Sequence, residues 1–132
     1  MVLALADAHQ VQFYSSPDLR RWTHLSDFGP AGATGGQWEC PDLFELAVAV
    51  EGGAEASSSR WVLVVSLNPG GLQGGSGTQY FLGHFNGTHF TAEDDDDSIR
   101  WLDYGKDYYA AVSWNQAPDN GRYMIGWMSN WL

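Results

Sequence analysis

Residues 61–91, WVLVVSLNPGGLQGGSGTQYFLGHFNGTHFT, run through an apolar stretch, a glycine-rich connection, an aromatic stretch, a tight polar turn and a short closing stretch. Val, Leu, Tyr and Phe at this density predict strands, and no long window free of Gly or Pro carries a helical period. The same succession fills residues 1–25, MVLALADAHQVQFYSSPDLRRWTHL, and starts a third time in RYMIGWMSNW, residues 122–131. Met1, Trp61 and Tyr123 mark equivalent starts, which makes the repeat roughly sixty residues long. DLFEL (42–46) and YYAAVSW (108–114) precede the second and third copies as one further strand each. Four strands per unit is the make-up of a propeller blade.

The expected fold is therefore all-β: a partial β-propeller of about two blades, each a four-stranded antiparallel sheet. Propellers close with about four to eight blades, because an open blade leaves an apolar face and a strand edge exposed. The chain thus reads as a segment of a longer protein. It starts at what corresponds to the second strand of a blade and stops within another after SNWL. A two-sheet sandwich of the same strands is the alternative.

Composition narrows the partners. The chain has 132 residues, 44% of them hydrophobic and 14% aromatic, enough to fill a core. Sixteen acidic residues against six basic ones give a net charge of −10, which repels both phosphate backbones and anionic lipid. Nucleic acid and membrane are not expected partners. MVLALA, residues 1–6, has no basic residue ahead of it and ends at Asp7, so it reads as a strand rather than a signal peptide or a span. With Cys40 as the single cysteine, no internal disulfide and no cysteine-based zinc site can form.

Most polar features read as ordinary surface. EGGAEASSSR (51–60) is a polar hairpin connection, and AEDDDDSIR (92–100) an acidic one. Asp94 to Asp97 lack the alternating spacing and central glycine of a calcium loop. The glycine-rich NPGGLQGGSGT (68–78) lacks the Gly-Lys-Ser/Thr ending of a phosphate loop, and it reads as a flexible rim loop. His9, His24, His84 and His89 show no metal spacing and are expected on turns or the surface. Ser76 lacks the Gly-x-Ser-x-Gly frame of a hydrolase nucleophile. No metal or cofactor is implied. Asn86-Gly87-Thr88 is a sequon that suits a secreted glycoprotein.

Glu39 stands apart because of its setting in GGQWECPDLFEL, residues 35–46. An acid that cleaves a glycosidic bond must hold its proton near working pH, and apolar neighbours achieve this by penalising the charged form. Trp38 and Cys40 are such neighbours in sequence. Pro41 fixes its own φ and biases Cys40 toward an extended backbone, so Glu39 is expected at the start of the strand DLFEL.

WECPDLFEL resembles the Glu-Cys-Pro motif of glycoside hydrolase family 32, the invertases, inulinases and levanases. Other segments resemble the same family in the same order: VQFYSSPDLRRWT, NPGGLQGGSGTQYFLGHFNGTHF, WLDYGKDYYAAVSW and IGWMSNW. Nearly the whole chain is covered, and it is similar in particular to the exo-acting fungal and bacterial fructanases. The resemblance implies a five-bladed propeller with its active site in a central funnel, of which residues 1–132 are a fragment. It implies retaining hydrolysis of β-fructofuranosidic bonds in sucrose, inulin or levan, with an aspartate nucleophile, a glutamate acid/base and a second aspartate that binds sugar hydroxyls. Glu39 matches the acid/base, and motifs for the two aspartates, Trp-Met-Asn-Asp-Pro-Asn-like and Arg-Asp-Pro, do not occur in the chain. The fragment alone is accordingly expected to be inactive and its parent secreted.

By the same resemblance Tyr109, Trp114, Trp131 and Asp107 line the funnel, where ring faces pack on sugar C–H groups. Trp22, Trp61, Trp101 and Trp127 fall where core or blade-packing residues belong. A non-catalytic carbohydrate-binding segment is the competing reading.

Overall fold

A computed structural model describes residues 1–48, 58–93, 98–118 and 121–131. The acidic run Asp94–Asp97, and all but the last residues of the polar connection 51–60, lie outside the described residues.

Among the described residues, ten strands form three antiparallel sheets, and one 3-10 turn, Ala6–Ala8, links the first two strands. The first sheet is β1 (Val2–Leu5), β2 (Gln10–Ser15) and β3 (Thr23–Phe28), in that order. The second runs β4 (Gln37–Ala47), β5 (Ser59–Asn68), β6 (Gly77–Phe85), β7 (Phe90–Ala92), with β8 (Arg100–Trp101) following β7 along the same edge of β6. The third pairs β9 (Tyr109–Ser113) with β10 (Met124–Trp127). Strands β1 to β3 repeat the order β5 to β7, so the sheets are one blade without its first strand, one whole blade, and the opening pair of a third. The first blade's opening MVLALA is the expected strand.

Burial follows from the middle blade having neighbours on both faces. Strand β5 is almost wholly buried from Val62 to Leu67, as its unbroken apolar run requires. Its odd residues Leu63, Val65 and Leu67 pack with Val11, Phe13 and Trp38, toward the first blade. Its even residues Val62 and Val64 pack with Phe44, Tyr80, Leu82 and Met124, toward the third. Trp38 is fully buried, with its indole N–H donating to the Ala33 carbonyl at 2.8 Å. Cutting it to alanine would cost about 3–5 kcal/mol.

Strand β4 changes phase partway. Glu39 pairs with Ser66 and Asp42 with Val64, so Cys40 and Pro41 together oppose the single residue Val65. This is a β-bulge, and Cys40 takes the left-handed conformation, φ +47°. The extended backbone expected of Cys40 is not observed. The bulge explains why: even-numbered Trp38 precedes it and odd-numbered Leu43 follows it, yet both face the first blade. Pro41 is tolerated there because a bulge leaves a backbone N–H unpaired. The strand also begins earlier than DLFEL, so Glu39 lies inside it rather than at its start.

The glycine-rich segment is more fixed than a free rim loop. A Cβ on Gly36 would lie 1.8 Å from the Pro69 carbonyl oxygen, so glycine here permits backbone contact between the approach to β4 and the β5–β6 connection. At the other end Ser76 and Thr78 are buried. The histidines meet expectation: His24, His84 and His89 are exposed, and His9 sits in the left-handed residue that ends the 3-10 turn. No helix among the described residues is long and apolar enough to cross a membrane.

Candidate active site

The bulge turns Glu39, Asp42 and Phe44 toward the third blade, where β9 lies alongside β4. Two contacts join these innermost strands. The Tyr109 phenol donates a hydrogen bond to Glu39 Oε2. Further along, Asp42 Oδ2 accepts from the Ser113 backbone N–H at 2.9 Å and from its hydroxyl at 2.6 Å. Arg122 Nη1 in turn donates to Ser113 Oγ at 2.8 Å, while its guanidinium lies 4.4 Å from the centre of the Phe44 ring.

Tyr109 is 4% exposed. Its burial, then the hydrogen bond to Glu39 and that carboxylate's charge, hold the phenol well above the ordinary tyrosine range. It therefore remains a donor at any working pH. The Cys40 thiol is also pushed up, by loss of solvent first and by the Glu39 charge second, so at neutral pH it is an uncharged neighbour rather than a nucleophile.

Trp131 packs edge-on against Tyr109, ring centres 4.8 Å apart, and Trp127 packs edge-on against Trp131 at 5.0 Å. Asp107 belongs to a separate polar chain, its Oδ1 accepting from the Ser129 hydroxyl at 3.4 Å, with Ser129 bonded to Ser76 at 2.9 Å. Thus Glu39, Tyr109 and Trp131 are brought together directly. Trp114 follows Ser113 at the other end of β9, 55% exposed, with its backbone N–H bonded to the Tyr123 carbonyl.

The tryptophans expected in the core divide. Trp101 is buried and Trp61 packs against the first core cluster, whereas Trp22 is 38% and Trp127 46% exposed. Trp127 belongs to the aromatic group beside Tyr109. Trp38 is turned to the opposite face from Glu39 by strand alternation, so the contact that covers Glu39 comes from Tyr109 rather than from the indole beside it in sequence. Sequence reading also passed over Asp42 and Ser66. Ser66 carried a signal: it is a hydroxyl inside WVLVVSL, a run otherwise apolar on both faces.

Chemically, this is a carboxylate on the innermost strand of a blade, held on one oxygen by a phenol that itself packs against an indole ring. Asp42, the next carboxylate along β4, is committed to Ser113, and among the described residues no cluster of three metal-ligating side chains occurs.

A sequence model described as the N-terminal domain of family 32 glycosyl hydrolases matches residues 1–132. A levanase of Bacillus subtilis strain 168 is 47% identical over 133 residues, covering 98% of this chain and 19% of the levanase. An extracellular exo-inulinase of Aspergillus niger is 44% identical over 138 residues, covering 99% of the chain and 25% of the enzyme. Among solved structures, an exo-inulinase from Aspergillus awamori superposes with a TM-score of 0.87 at 42% identity, covering 98% of this chain and 26% of that one. A β-fructofuranosidase from Schwanniomyces occidentalis, solved with fructosyl-erythritol, gives 0.86 at 36% identity, covering 99% and 24%. The chain spans about a fifth to a quarter of the length of these relatives.

Proposed function

Because the chain belongs to family 32 of the glycosyl hydrolases, we propose that residues 1–132 are an internal part of the catalytic propeller of a secreted enzyme that hydrolyses β-fructofuranosidic bonds, with Glu39 as its acid/base. The observation that carries this reading is the Glu39–Tyr109 contact between the innermost strands of two neighbouring blades. The relatives support the substrate class, being a levanase, exo-inulinases and invertases, as do related structures that hold fructose or fructosylnystose.

The reaction is a double displacement with retention. Protonated Glu39 gives its proton to the glycosidic oxygen as an aspartate, supplied by another part of the propeller, bonds to the anomeric carbon and the C–O bond breaks. Glu39, now a carboxylate, takes a proton from water as that water displaces the aspartate, which restores both groups. Two carboxyl groups about 5 to 5.5 Å apart are needed for this. With Oε2 engaged by the phenol, Oε1 is the oxygen that exchanges the proton. Trp131 forms the wall on which a fructosyl ring packs, Tyr109 contacts the substrate by its phenol edge beside Glu39, and Asp107 and Trp114 are further sugar contacts. Asn86 lies exposed at the tip of the β6–β7 hairpin, a position open to an N-glycan on a secreted protein.

The test uses sucrose, inulin and levan. The isolated chain is expected to turn over none of them, while in the intact enzyme that carries it Glu39→Gln lowers kcat by about 10²–10⁴. Turnover by the isolated chain that Glu39→Gln abolishes would overturn the need for an outside nucleophile. Calorimetric binding of fructo-oligosaccharides by an intact protein whose activity is indifferent to Glu39→Gln would mark a binding module instead.

A further inference from the structure

Two buried hydroxyls in the middle blade have no part in the chemistry above. Ser66 and Thr78 are each 0% exposed, are cross-strand partners on β5 and β6, and have their oxygens 3.2 Å apart. Both face the third blade. Ser66 Oγ accepts from the Ala110 backbone N–H at 3.0 Å, and Thr78 Oγ1 donates to the Tyr108 carbonyl at 3.1 Å.

The proton count fixes the direction. Each hydroxyl has one proton. That of Thr78 goes to the Tyr108 carbonyl, so that of Ser66 goes to Thr78, giving one chain from Ala110 N–H through Ser66 and Thr78 to the Tyr108 carbonyl. The two ends of that chain are the backbone groups immediately before and after Tyr109. Ala110 is held there at φ +52°, a conformation that a residue with a Cβ adopts only when its surroundings impose it. Ser66 is also the cross-strand partner of Glu39. One serine therefore sits beside the acid/base on the same face of the sheet and grips the backbone that carries its phenol.

We infer that Ser66 and Thr78 are positioning residues, a hydroxyl clip that sets Tyr109 against Glu39 across the blade boundary. A hydroxyl buried without a partner is costly, and a linked pair polarises and stiffens itself. An apolar pair such as Val and Val would pack this face as Val62 and Val64 do, but would leave the Ala110 N–H and the Tyr108 carbonyl without these partners. The clip instead supplies a direction, and catalytic geometry tolerates little displacement.

This inference rests on Glu39 being the acid/base. In the intact enzyme, Thr78→Val is expected to lower kcat on the order of ten- to a hundredfold with little change in KM, while Thr78→Ser restores most of the activity. Ser66→Ala should behave as Thr78→Val does. The deciding measurement repeats Thr78→Val in a Tyr109→Phe background, where it should add little further loss of kcat, since the phenol it positions is gone. An equal loss in both backgrounds, or wild-type kcat with only a lower unfolding temperature, overturns the clip. If Glu39→Gln itself leaves kcat unchanged, the acid/base assignment has failed instead, and the two failures are told apart.

Discussion

Strands β4 and β9 touch at two carboxylates, and the two ends of that contact are built differently. At Asp42 one oxygen receives two donors from Ser113, and Arg122 braces the serine from behind. Asp42 thus carries two donors from the facing strand on one oxygen, and the carboxylate acts as a rivet between blades. At Glu39 a single phenol holds one oxygen, and the residues that follow the two partners, Cys40 and Ala110, both have positive φ. Positive-φ backbone marks one end and is absent from the other, Asp42 and Ser113. Strain of this kind persists where surrounding structure imposes it, and it concentrates at functional sites.

The sharpest way to break the comparison is to neutralise each carboxylate in turn in the intact enzyme. Glu39→Gln should remove about 10²–10⁴ of kcat and leave the unfolding temperature close to wild type, because the amide oxygen still accepts from Tyr109. Asp42→Ala should do the reverse. It strips the Ser113 N–H and hydroxyl of their acceptor in a half-buried site, which costs about 1–3 kcal/mol. Thermal unfolding should register that loss, while kcat changes by much less than for Glu39→Gln. A large kcat defect from Asp42→Ala with an unchanged unfolding temperature would show that the two ends are not distinct in the way argued.

The blades were legible in the sequence because the order of apolar, aromatic and polar stretches repeats, and pairing β1–β2–β3 and β5–β6–β7 follows from that order. Glu39 was legible from its motif. The phase change behind it was not. A proline disfavours helical and left-handed conformations in the residue before it, and that local rule pointed Cys40 the wrong way. Tertiary packing outweighs it: keeping both Trp38 and Leu43 on the core side secures two large side chains at about 1.5–3 kcal/mol each, against about 1–2 kcal/mol for one residue in the left-handed region. Trp127 shows a related limit: in a strand as short as Met124–Trp127, alternation alone does not reveal that its ring meets Trp131. The hydroxyl clip needed the register of three strands, which no single run displays.

The smallest expected effect tests the bulge itself. At φ +47° the Cys40 side chain costs about 1–2 kcal/mol that glycine would not incur, while glycine adds about 0.5–1 kcal/mol of unfolded-state freedom. Cys40→Gly should therefore match or exceed wild-type stability by up to about 1 kcal/mol. Cys40→Ala keeps the Cβ and the strain, so it should unfold at or below the temperature of Cys40→Gly. The order matters more than the size, because in an ordinary extended strand residue alanine is the more stable of the two. Finding alanine above glycine would place Cys40 in extended backbone, remove the bulge, and with it the reason Glu39 and Asp42 face the same neighbouring blade.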